Sequence, residues 1–253
     1  MTFDFKDKVI LVTGGTRGIG KAISLAFGKA GGKVAMVYYS NEEEAQKVEI
    51  AMRHTDSMIL RCDISKPDEV RRMVNNVALK YGRIDILINN AGVYISHEID
   101  KIPYNDWQYK WNKTIAINLN GPANLCFCVA NYMLHQGSGK IINITSRGAY
   151  RGEPNHPAYG AAKAGLNSLT QSLSKKLAPN NIFVAALAPG FVDTDMAHPY
   201  IHGDDGESVL SQSPLNRAAT PDEIARAVLF LSSEGINYLT GSIVDMNGAS
   251  YFR

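Results

Sequence analysis

The sequence is short of cysteine and of long apolar runs, and both absences exclude classes of protein. Its three cysteines, Cys62, Cys126 and Cys128, are an odd number without the paired spacing of zinc ligands, which argues against a disulfide framework or a metal site. No run approaches the roughly 18 apolar residues that a membrane-spanning helix needs. The first residues, MTFDFKDK, mix acids with bases and contain no apolar segment, unlike a signal peptide. We therefore expect a soluble, cytoplasmic protein in a reducing compartment.

An excess of charge of one sign is also missing. The chain of 253 residues has 26 Lys and Arg against 24 Asp and Glu, a net charge of +2 with His neutral. Such a balance argues against a strong general attraction to nucleic acid or to an anionic membrane. No internal repeat, low-complexity tract or Pro/Gly-rich linker divides the sequence. We therefore expect one domain, residues 1–253.

Short apolar runs alternate with longer segments of helical periodicity along the whole chain. Strands are expected at 9–12, 34–38, 58–62, 84–88, 140–145, 182–187 and 242–246. Helices are expected between them, among others at 21–29, 42–53, 113–135 with a bend near Pro122, 159–176 and 221–232, with Ser65 and Thr220 as N-caps. This alternation predicts an α/β fold: one doubly wound (Rossmann) domain with a seven-stranded parallel sheet and helices on both faces.

Residues 193–214 interrupt this alternation. The segment is of mixed polarity, lacks clear periodicity and follows the sixth predicted strand. A connection this long in a compact domain is usually functional or disordered. Because it leaves the carboxyl end of a strand, we expect it to form a substrate lid; the alternative is a mobile surface loop.

A glycine-rich segment, Thr13-Gly14-Gly15-Thr16-Arg17-Gly18-Ile19-Gly20, joins the first predicted strand to the first helix. Glycine permits a tight turn and close approach of the backbone to a phosphate. The helix N-terminus then presents N–H groups and the positive end of its dipole. The segment therefore predicts a site for a pyrophosphate.

The glycines are spaced as G-x-x-x-G-x-G rather than G-x-G-x-x-G. Together with Asn89-Asn90-Ala91-Gly92 and Tyr159-Gly160-Ala161-Ala162-Lys163, this spacing resembles the short-chain dehydrogenase/reductase family. Further matches in family order are Asp63, Asn118, Ser146 and Pro189-Gly190. The resemblance covers essentially the whole chain.

The choice of cofactor follows from charge at the end of the second strand. NAD-dependent proteins usually place an acid there to hold the ribose hydroxyls, and that acid would repel a 2′-phosphate. Here the position is Tyr38, followed by Tyr39 and Ser40, while Arg17 lies in the glycine turn where similar proteins place a base. We therefore expect NADP(H). The alternative interpretation of Arg17 is a solvated loop residue.

The resemblance also implies a set of nucleotide contacts. They are Gly14, Thr16, Arg17, Gly18, Ile19, Tyr38, Tyr39, Ser40, Asp63, Ile64, Asn90, Ala91, Gly92, Tyr159, Lys163, Pro189, Gly190, Val192 and Thr194.

Tyr159 and Lys163 occupy positions i and i+4, so on a helix they lie on one face. A neighbouring ammonium, with the positive charge of an oxidised nicotinamide, is expected to lower the pKa of the phenol from about 10. The resemblance implies four catalytic residues. Tyr159 exchanges a proton with the substrate oxygen, Ser146 hydrogen-bonds that oxygen, Lys163 tunes Tyr159 and binds the nicotinamide ribose, and Asn118 holds a relay water through its backbone.

The substrate is less well defined by sequence. Ala188 to Met196 is similar to the same segment of β-ketoacyl-carrier-protein reductases, but 133–139 has no Arg or Lys for docking an acidic carrier protein. We expect an NADPH-dependent reductase of a ketone, either a 3-oxoacyl group on a carrier protein or CoA, or another small carbonyl. The alternatives are an NAD(P)-dependent dehydrogenase of a small alcohol or sugar, and a catalytically silent NADP sensor.

Two further expectations concern contacts. Candidate substrate contacts at the mouth of the site are Arg147, Tyr150, Glu153 and His156. The resemblance implies a homotetramer, and no metal, nucleic acid or membrane partner is expected.

Overall fold

The computed structural model describes residues 3–253, and these form one parallel sheet of seven strands in the order β3-β2-β1-β4-β5-β6-β7. The strands are β1 (Val9–Thr13), β2 (Lys33–Tyr38), β3 (Ser57–Arg61), β4 (Ile86–Asn89), β5 (Gly139–Ile144), β6 (Ile182–Pro189) and β7 (Ile243–Met246). The α/β fold and the seven-stranded parallel sheet predicted from the sequence are confirmed.

Helices connect successive strands. They are α1 (Gly18–Lys29), α2 (Glu42–Ala51), α3 (Pro67–Tyr81), α4 (Tyr104–Ile115), α5 (Gly121–Gln136), α6 (Gly148–Arg151), α7 (Pro157–Leu177), α8 (His198–Ile201), α9 (Gly206–Leu210) and α10 (Pro221–Ser232). Short 3-10 turns follow at Ala178–Asn180 and Asn237–Leu239. In the described part of the chain, no helix is both long enough and apolar enough to cross a bilayer.

Side chains from both faces of the sheet are buried under helices. Phe27 of α1 and Val228 of α10 lie in one apolar cluster, and Val74 of α3 and Leu125 of α5 lie in another. Neighbouring residues of β1 contribute alternately to the two clusters, as the two-residue period of a strand requires. This double burial explains why the strands are continuous apolar runs rather than alternating sequences.

The long helix expected at 113–135 begins earlier and is interrupted. α4 starts at Tyr104, and a π-helical turn at Ala116–Asn120 joins it to α5. The turn ends just before Pro122, near which the bend was predicted. Proline has no N–H for the helical hydrogen bond, which accounts for the irregular turn at this place.

The two predicted helix caps have different outcomes. Thr220 caps α10, since its hydroxyl oxygen accepts from the Glu223 N–H at 3.2 Å and Glu223 Oε2 accepts from the Thr220 N–H at 2.8 Å. Ser65 is not the N-cap of α3, because the helix begins one residue later, with Lys66 at the cap position. The Ser65 hydroxyl instead donates to Asp63 Oδ1 at 2.6 Å. The serine therefore forms part of a local Asx-type turn before the helix.

The order of the strands reverses between β1 and β4. Crossovers from β1 lead outward to β2 and β3, and those from β4 lead the other way to β7. Ligands of doubly wound sheets bind at the carboxyl ends of the strands where this reversal opens a crevice. The segment 193–214, which contains α8 and α9, follows β6 at the same edge of the sheet.

Candidate active site

A cavity of about 450 Å³ lies at the carboxyl ends of the strands, beside the reversal of strand order. All the residues expected to contact the nucleotide line it, namely Gly14, Thr16, Arg17, Gly18, Ile19, Tyr38, Tyr39, Ser40, Asp63, Ile64, Asn90, Ala91, Gly92, Tyr159, Lys163, Pro189, Gly190, Val192 and Thr194. Of the four expected catalytic residues, Ser146, Tyr159 and Lys163 line it and Asn118 does not. The fold therefore brings segments from almost the whole chain to one site.

The glycine turn fits a pyrophosphate. Gly14 and Gly18 have φ values of +61° and +48°, which other residues rarely adopt. A Cβ on Gly18 would lie 3.3 Å from Cγ2 of Thr194, which also lines the cavity. Helix α1 follows directly, with Arg17 at its N-cap position and no hydrogen bond from that side chain to the helix end. The N–H groups at the helix N-terminus are thus available to a phosphate.

Asn90 and Ala91 hold the glycine turn in place. The Asn90 side chain donates to the Thr13 carbonyl oxygen at 2.9 Å, and the Asn90 N–H donates to the Thr13 hydroxyl at 3.0 Å. The Ala91 N–H donates to the same hydroxyl at 3.1 Å. These bonds cross from β4 to β1, so they fix two lining segments relative to each other.

The cavity end beside β2 carries positive charge. Arg17 is exposed there, and two of the three acids that begin α2 have basic partners. Lys47 Nζ lies 2.8 Å from Glu43 and 2.9 Å from Glu44, and Lys47 lowers the pKa of Glu44. These carboxylates begin α2, where Asn41 accepts from the Glu44 N–H at 3.0 Å. The run of acids is therefore a helix start, and the residues here suit a 2′-phosphate better than a diol.

The Lys163 side chain is held beside the end of β5. Its Nζ donates to the Ile144 carbonyl oxygen at 2.8 Å and lies 5.6 Å from the centre of the Tyr159 ring. Ser146 follows β5, and its Oγ accepts from the Gly148 N–H at 3.0 Å. Because Oγ already accepts this bond, the serine hydroxyl can donate its own hydrogen into the cavity.

The pKa of Tyr159 in the protein without nucleotide is set mainly by burial. Burial raises the pKa of Tyr159 to about 12, although the hydrogen bond from Ser146 lowers it in part. Burial also lowers the pKa of Lys163 to about 8. Removal of the phenol from water and the negative charge of Glu153 raise the pKa more than Ser146 lowers it. The lowering expected with an oxidised nicotinamide bound stays a prediction. Tyr159 is a protonated phenol at neutral pH.

Asn118 lies behind the cavity wall rather than on it. Its side-chain oxygen accepts from the Val93 N–H at 2.9 Å and its amide donates to the Val93 carbonyl oxygen at 2.8 Å. Asn118 sits in the π-helical turn, four residues before Pro122. A regular helix would direct the N–H of residue 122 to the Asn118 carbonyl oxygen, and proline has none. The relay role of its backbone stays a prediction.

The wall beside Ser146 is more aromatic than the sequence indicated. Arg147 and Glu153 line the cavity as expected, whereas Tyr150 and His156 do not. His156 is buried behind Tyr94, with the two rings stacked at 3.6 Å. Tyr94 and Tyr200 of α8, which the sequence analysis did not identify, also line the cavity. Their only sequence signal was that each follows a recognised motif, Asn89–Gly92 for Tyr94 and Pro189–Gly190 for Tyr200.

A buried histidine supports the start of the catalytic helix. His97 is 0% exposed; its Nε2 accepts from the Ala158 N–H at 3.0 Å, and its Nδ1 lies 2.7 Å from the Ile95 carbonyl oxygen. Nε2 must therefore be unprotonated and Nδ1 must carry the hydrogen. Ala158 immediately precedes Tyr159, so His97 fixes the first turn of α7 against the loop after β4.

We expect His97→Phe to lower the free energy of unfolding by about 2–4 kcal/mol, because it leaves a buried N–H and a buried carbonyl oxygen without partners. Denaturant unfolding measures the change. His54→Phe is the matched control, since His54 is exposed and contacts only Arg53. Equal stability of the two variants would show that the His97 hydrogen bonds contribute little.

No group of His, Cys, Asp and Glu side chains within residues 3–253 has the arrangement of a metal site.

Known proteins are similar to this chain over nearly its whole length. The family model described as enoyl-(acyl carrier protein) reductase matches residues 14–248. A 3-oxoacyl-(acyl-carrier-protein) reductase of Staphylococcus epidermidis is 36% identical over 247 residues, which cover 97% of this chain and 99% of that protein. The enzyme of the same name from Thermotoga maritima is 36% identical over 244 residues, 95% of this chain and 96% of that one.

Solved structures show the same fold over the full length. A dehydrogenase/reductase from Sinorhizobium meliloti has a TM-score of 0.90 and 28% identity, covering 99% of this chain and 98% of that one. A short-chain dehydrogenase from Burkholderia cenocepacia in complex with NADP has a TM-score of 0.89 and 29% identity, covering 97% and 98%. With the glycine turn, Ser146, Tyr159 and Lys163 at one cavity, these matches show that the chain belongs to the short-chain dehydrogenase/reductase family.

Proposed function

We propose that the protein is an NADP-dependent oxidoreductase that reduces a ketone to a secondary alcohol, with Tyr159 as the general acid. The observation that carries this proposal is the position of Ser146, Tyr159 and Lys163 on one wall of the nucleotide-sized cavity. The same three residues would serve a dehydrogenase acting on a small alcohol or sugar. Burial raises the pKa of Tyr159 to about 12, so at neutral pH the phenol holds the proton that reduction of a ketone requires.

Three side chains have separate roles in transferring a proton to the substrate oxygen. Ser146 donates a hydrogen bond to the substrate carbonyl oxygen and orients it towards Tyr159. Tyr159 gives its phenolic proton to that oxygen, and the Lys163 ammonium stabilises the phenolate that remains. The Ile144 carbonyl oxygen holds Lys163 in place through the 2.8 Å hydrogen bond. A sensor without catalytic activity would not need this arrangement.

The nucleotide is NADP(H). Gly14, Gly18 and the N-terminus of α1 would hold its pyrophosphate, and Arg17 its 2′-phosphate. When bound, the reduced nicotinamide supplies the hydride that the carbonyl carbon accepts. The NADP complex of the Burkholderia cenocepacia relative, with 29% identity, supports this assignment.

Arg17→Ala is expected to lower kcat/KM for NADPH by about 10- to 100-fold, because it removes a charge-assisted contact to the 2′-phosphate. The value for NADH, which has no such phosphate, should stay within about twofold. Steady-state kinetics with each nucleotide measures the two changes in kcat/KM. Lys29→Ala, which removes an exposed base at the other end of α1, is the control. An equal loss with NADPH and NADH would contradict the assigned role of Arg17.

A panel of carbonyl compounds tests the proposed reaction. NADPH oxidation is followed at fixed pH with neutral ketones, oxo acids, a 3-oxoacyl thioester and an enoyl thioester. Reduction of a ketone or 3-oxoacyl group supports the proposal. Turnover of the enoyl thioester alone, the activity in the description of the matched family model, would overturn it.

The 3-oxoacyl reductases among the relatives make a 3-oxoacyl compound a candidate substrate. Docking of a carrier protein lacks comparable support. The segment 133–139, where α5 ends, carries no Lys or Arg, so it offers an acidic carrier no positive surface. A small-molecule carbonyl is the substrate proposed.

The proposal includes a single domain, residues 1–253, in which residues 193–214 act as a lid over the substrate. It is supported by the cavity wall, to which Thr194, Met196 and Tyr200 contribute. Tyr200 also contacts the segment before α7, since its hydroxyl lies 3.1 Å from Nε2 of His156.

Assembly as a homotetramer is supported by the outer face of α5. Leu125, Val129 and Met133 are buried in the core of the subunit, whereas Phe127 of the same helix is 72% exposed. An exposed phenylalanine beside Leu134, itself 40% exposed, suits a contact between subunits. Location in the cytoplasm stays a prediction.

A further inference from the structure

The residue after Ser146 is an arginine with an unusual environment. Arg147 is 4% exposed and lines the cavity. Its guanidinium lies 5.0 Å from the centre of the Phe191 ring, which lines the same cavity, and donates to Gln212 Oε1 at 2.6 Å. A fixed positive charge is therefore held in the cavity wall, adjacent in sequence to the serine that orients the carbonyl group.

No described carboxylate forms an ion pair with this charge, although the nearby Glu153 raises the pKa of Arg147 in part. Arg147 takes part in none of the ion pairs found within residues 3–253. Glu153, the acid in the same part of the wall, accepts from the Tyr94 hydroxyl at 2.9 Å and pairs with Arg151 at 3.5 Å. Arg151 also donates to Gln212 Oε1, at 2.9 Å. Two guanidinium groups thus share one neutral amide oxygen, and only that of Arg151 forms an ion pair with the carboxylate.

A buried, unpaired charge is costly. Burial and the neighbouring Arg151 lower the pKa of Arg147 to about 10, which still leaves it charged at neutral pH. Desolvating an ion without a counter-ion opposes folding by several kcal/mol. Holding Gln212 does not require such an ion, since a neutral donor would hydrogen-bond the amide oxygen equally well. The charge therefore has a use beyond fixing the lid segment.

An anionic group on the ligand would supply the missing counter-charge. Guanidinium matches a carboxylate in shape, because its parallel N–H groups can donate to both oxygens. Phe191 and Tyr94 provide apolar surface beside the charge for the carbon chain of such a ligand. We propose that Arg147 binds a carboxylate of the substrate, so that the substrate is an oxo acid with a free carboxyl group; this rests on the ketone reduction proposed above.

The test compares acids with their neutral esters. NADPH-dependent reduction is measured for 2-oxo-, 3-oxo- and 4-oxopentanoate, each beside its methyl ester, because the series varies the separation of carboxylate and ketone. We expect the best acid to exceed its ester by about 10- to 100-fold in kcat/KM, the effect of one charge-assisted hydrogen-bonded pair. The difference should lie mainly in KM, since the carboxylate does not change during reaction.

Arg147→Gln separates the carboxylate role from a structural one. The variant keeps a donor for Gln212 but loses the charge, so kcat/KM should fall about 10- to 100-fold for acids and less than about threefold for esters. Its thermal stability should be equal to or above that of the wild type, because a buried unpaired charge is removed. Arg151→Gln is the matched control: Arg151 contacts the same Gln212 oxygen but does not line the cavity, so the acid-to-ester ratio should be unchanged.

A binding measurement makes the result independent of turnover. Calorimetric titration with pentanoate, in the presence of NADPH, should show binding to the wild type and at least about tenfold weaker binding to Arg147→Gln. Equal use of acids and esters by the wild type, or equal losses for both in the variant, would overturn the carboxylate role while leaving ketone reduction intact. If no ketone is reduced, the proposed function fails, and pentanoate binding that depends on Arg147 would still support the anion site.

Discussion

Replacing Tyr159 with Phe should lower kcat for ketone reduction by about 10²- to 10⁴-fold, the usual contribution of a positioned general acid. The change removes only the hydroxyl. The ring, which packs edge-on against Tyr94 at 4.7 Å, keeps its place, and so do the Lys163–Ile144 hydrogen bond and the glycine turn. NADPH affinity should therefore change by less than about threefold. Single-turnover kinetics and a fluorescence titration with NADPH measure the two quantities separately.

The control for this variant is Tyr81→Phe. Burial also raises the pKa of Tyr81, whose hydroxyl donates to the Asp56 carbonyl oxygen at 3.4 Å, but Tyr81 lies outside the cavity. Its kcat should equal that of the wild type. If Tyr159→Phe retains a comparable kcat, another group donates the proton, and Tyr159 is not the general acid.

The sheet was predictable from sequence because its strands are buried on both faces. Continuous apolar runs such as Val9–Thr13 leave little choice of structure, and the glycine turn after that strand marks its carboxyl end. The first nine of the twelve residues of helix α4, Tyr104–Ile115, were not predicted as helix. Its aromatic and polar residues leave Thr114 as the one buried side chain, so the segment lacks the apolar periodicity on which helix prediction depends.

Within the site, motifs identified the nucleotide contacts and the catalytic residues, but not the groups around them. Tyr94 and His97 follow a recognised motif in sequence, yet their roles depend on contacts with His156 and Ala158, far along the chain. The pKa of Tyr159 in the protein without nucleotide also depends on such contacts. Spacing places Lys163 beside it, whereas the extent of burial, which decides the direction, follows from packing of the whole wall.

Gly20→Ala should produce the largest loss of nucleotide binding among variants outside the catalytic residues. A Cβ at this position would overlap the Gly14 carbonyl oxygen and lie 2.5 Å from Nδ2 of Asn90. Both contacts are with groups held in place: Asn90 donates to the Thr13 carbonyl oxygen at 2.9 Å, and Gly14 is in the left-handed region. The turn must therefore move away from α1. We expect a strain of about 3 kcal/mol in the conformation that binds NADPH. This strain corresponds to about 100-fold weaker NADPH binding.

Gly82→Ala separates this overlap from simple backbone strain. Gly82 ends α3 with a φ of +75°, and a Cβ there would meet nothing within 4 Å. The control should lose about 1 kcal/mol of unfolding free energy, the cost of a left-handed alanine, and bind NADPH normally. Denaturant unfolding and NADPH titration of both variants distinguish the two effects. Wild-type NADPH affinity in Gly20→Ala would mean that the turn between β1 and α1 can relax without disturbing the phosphate site, and that close packing of Gly20 is not what shapes it.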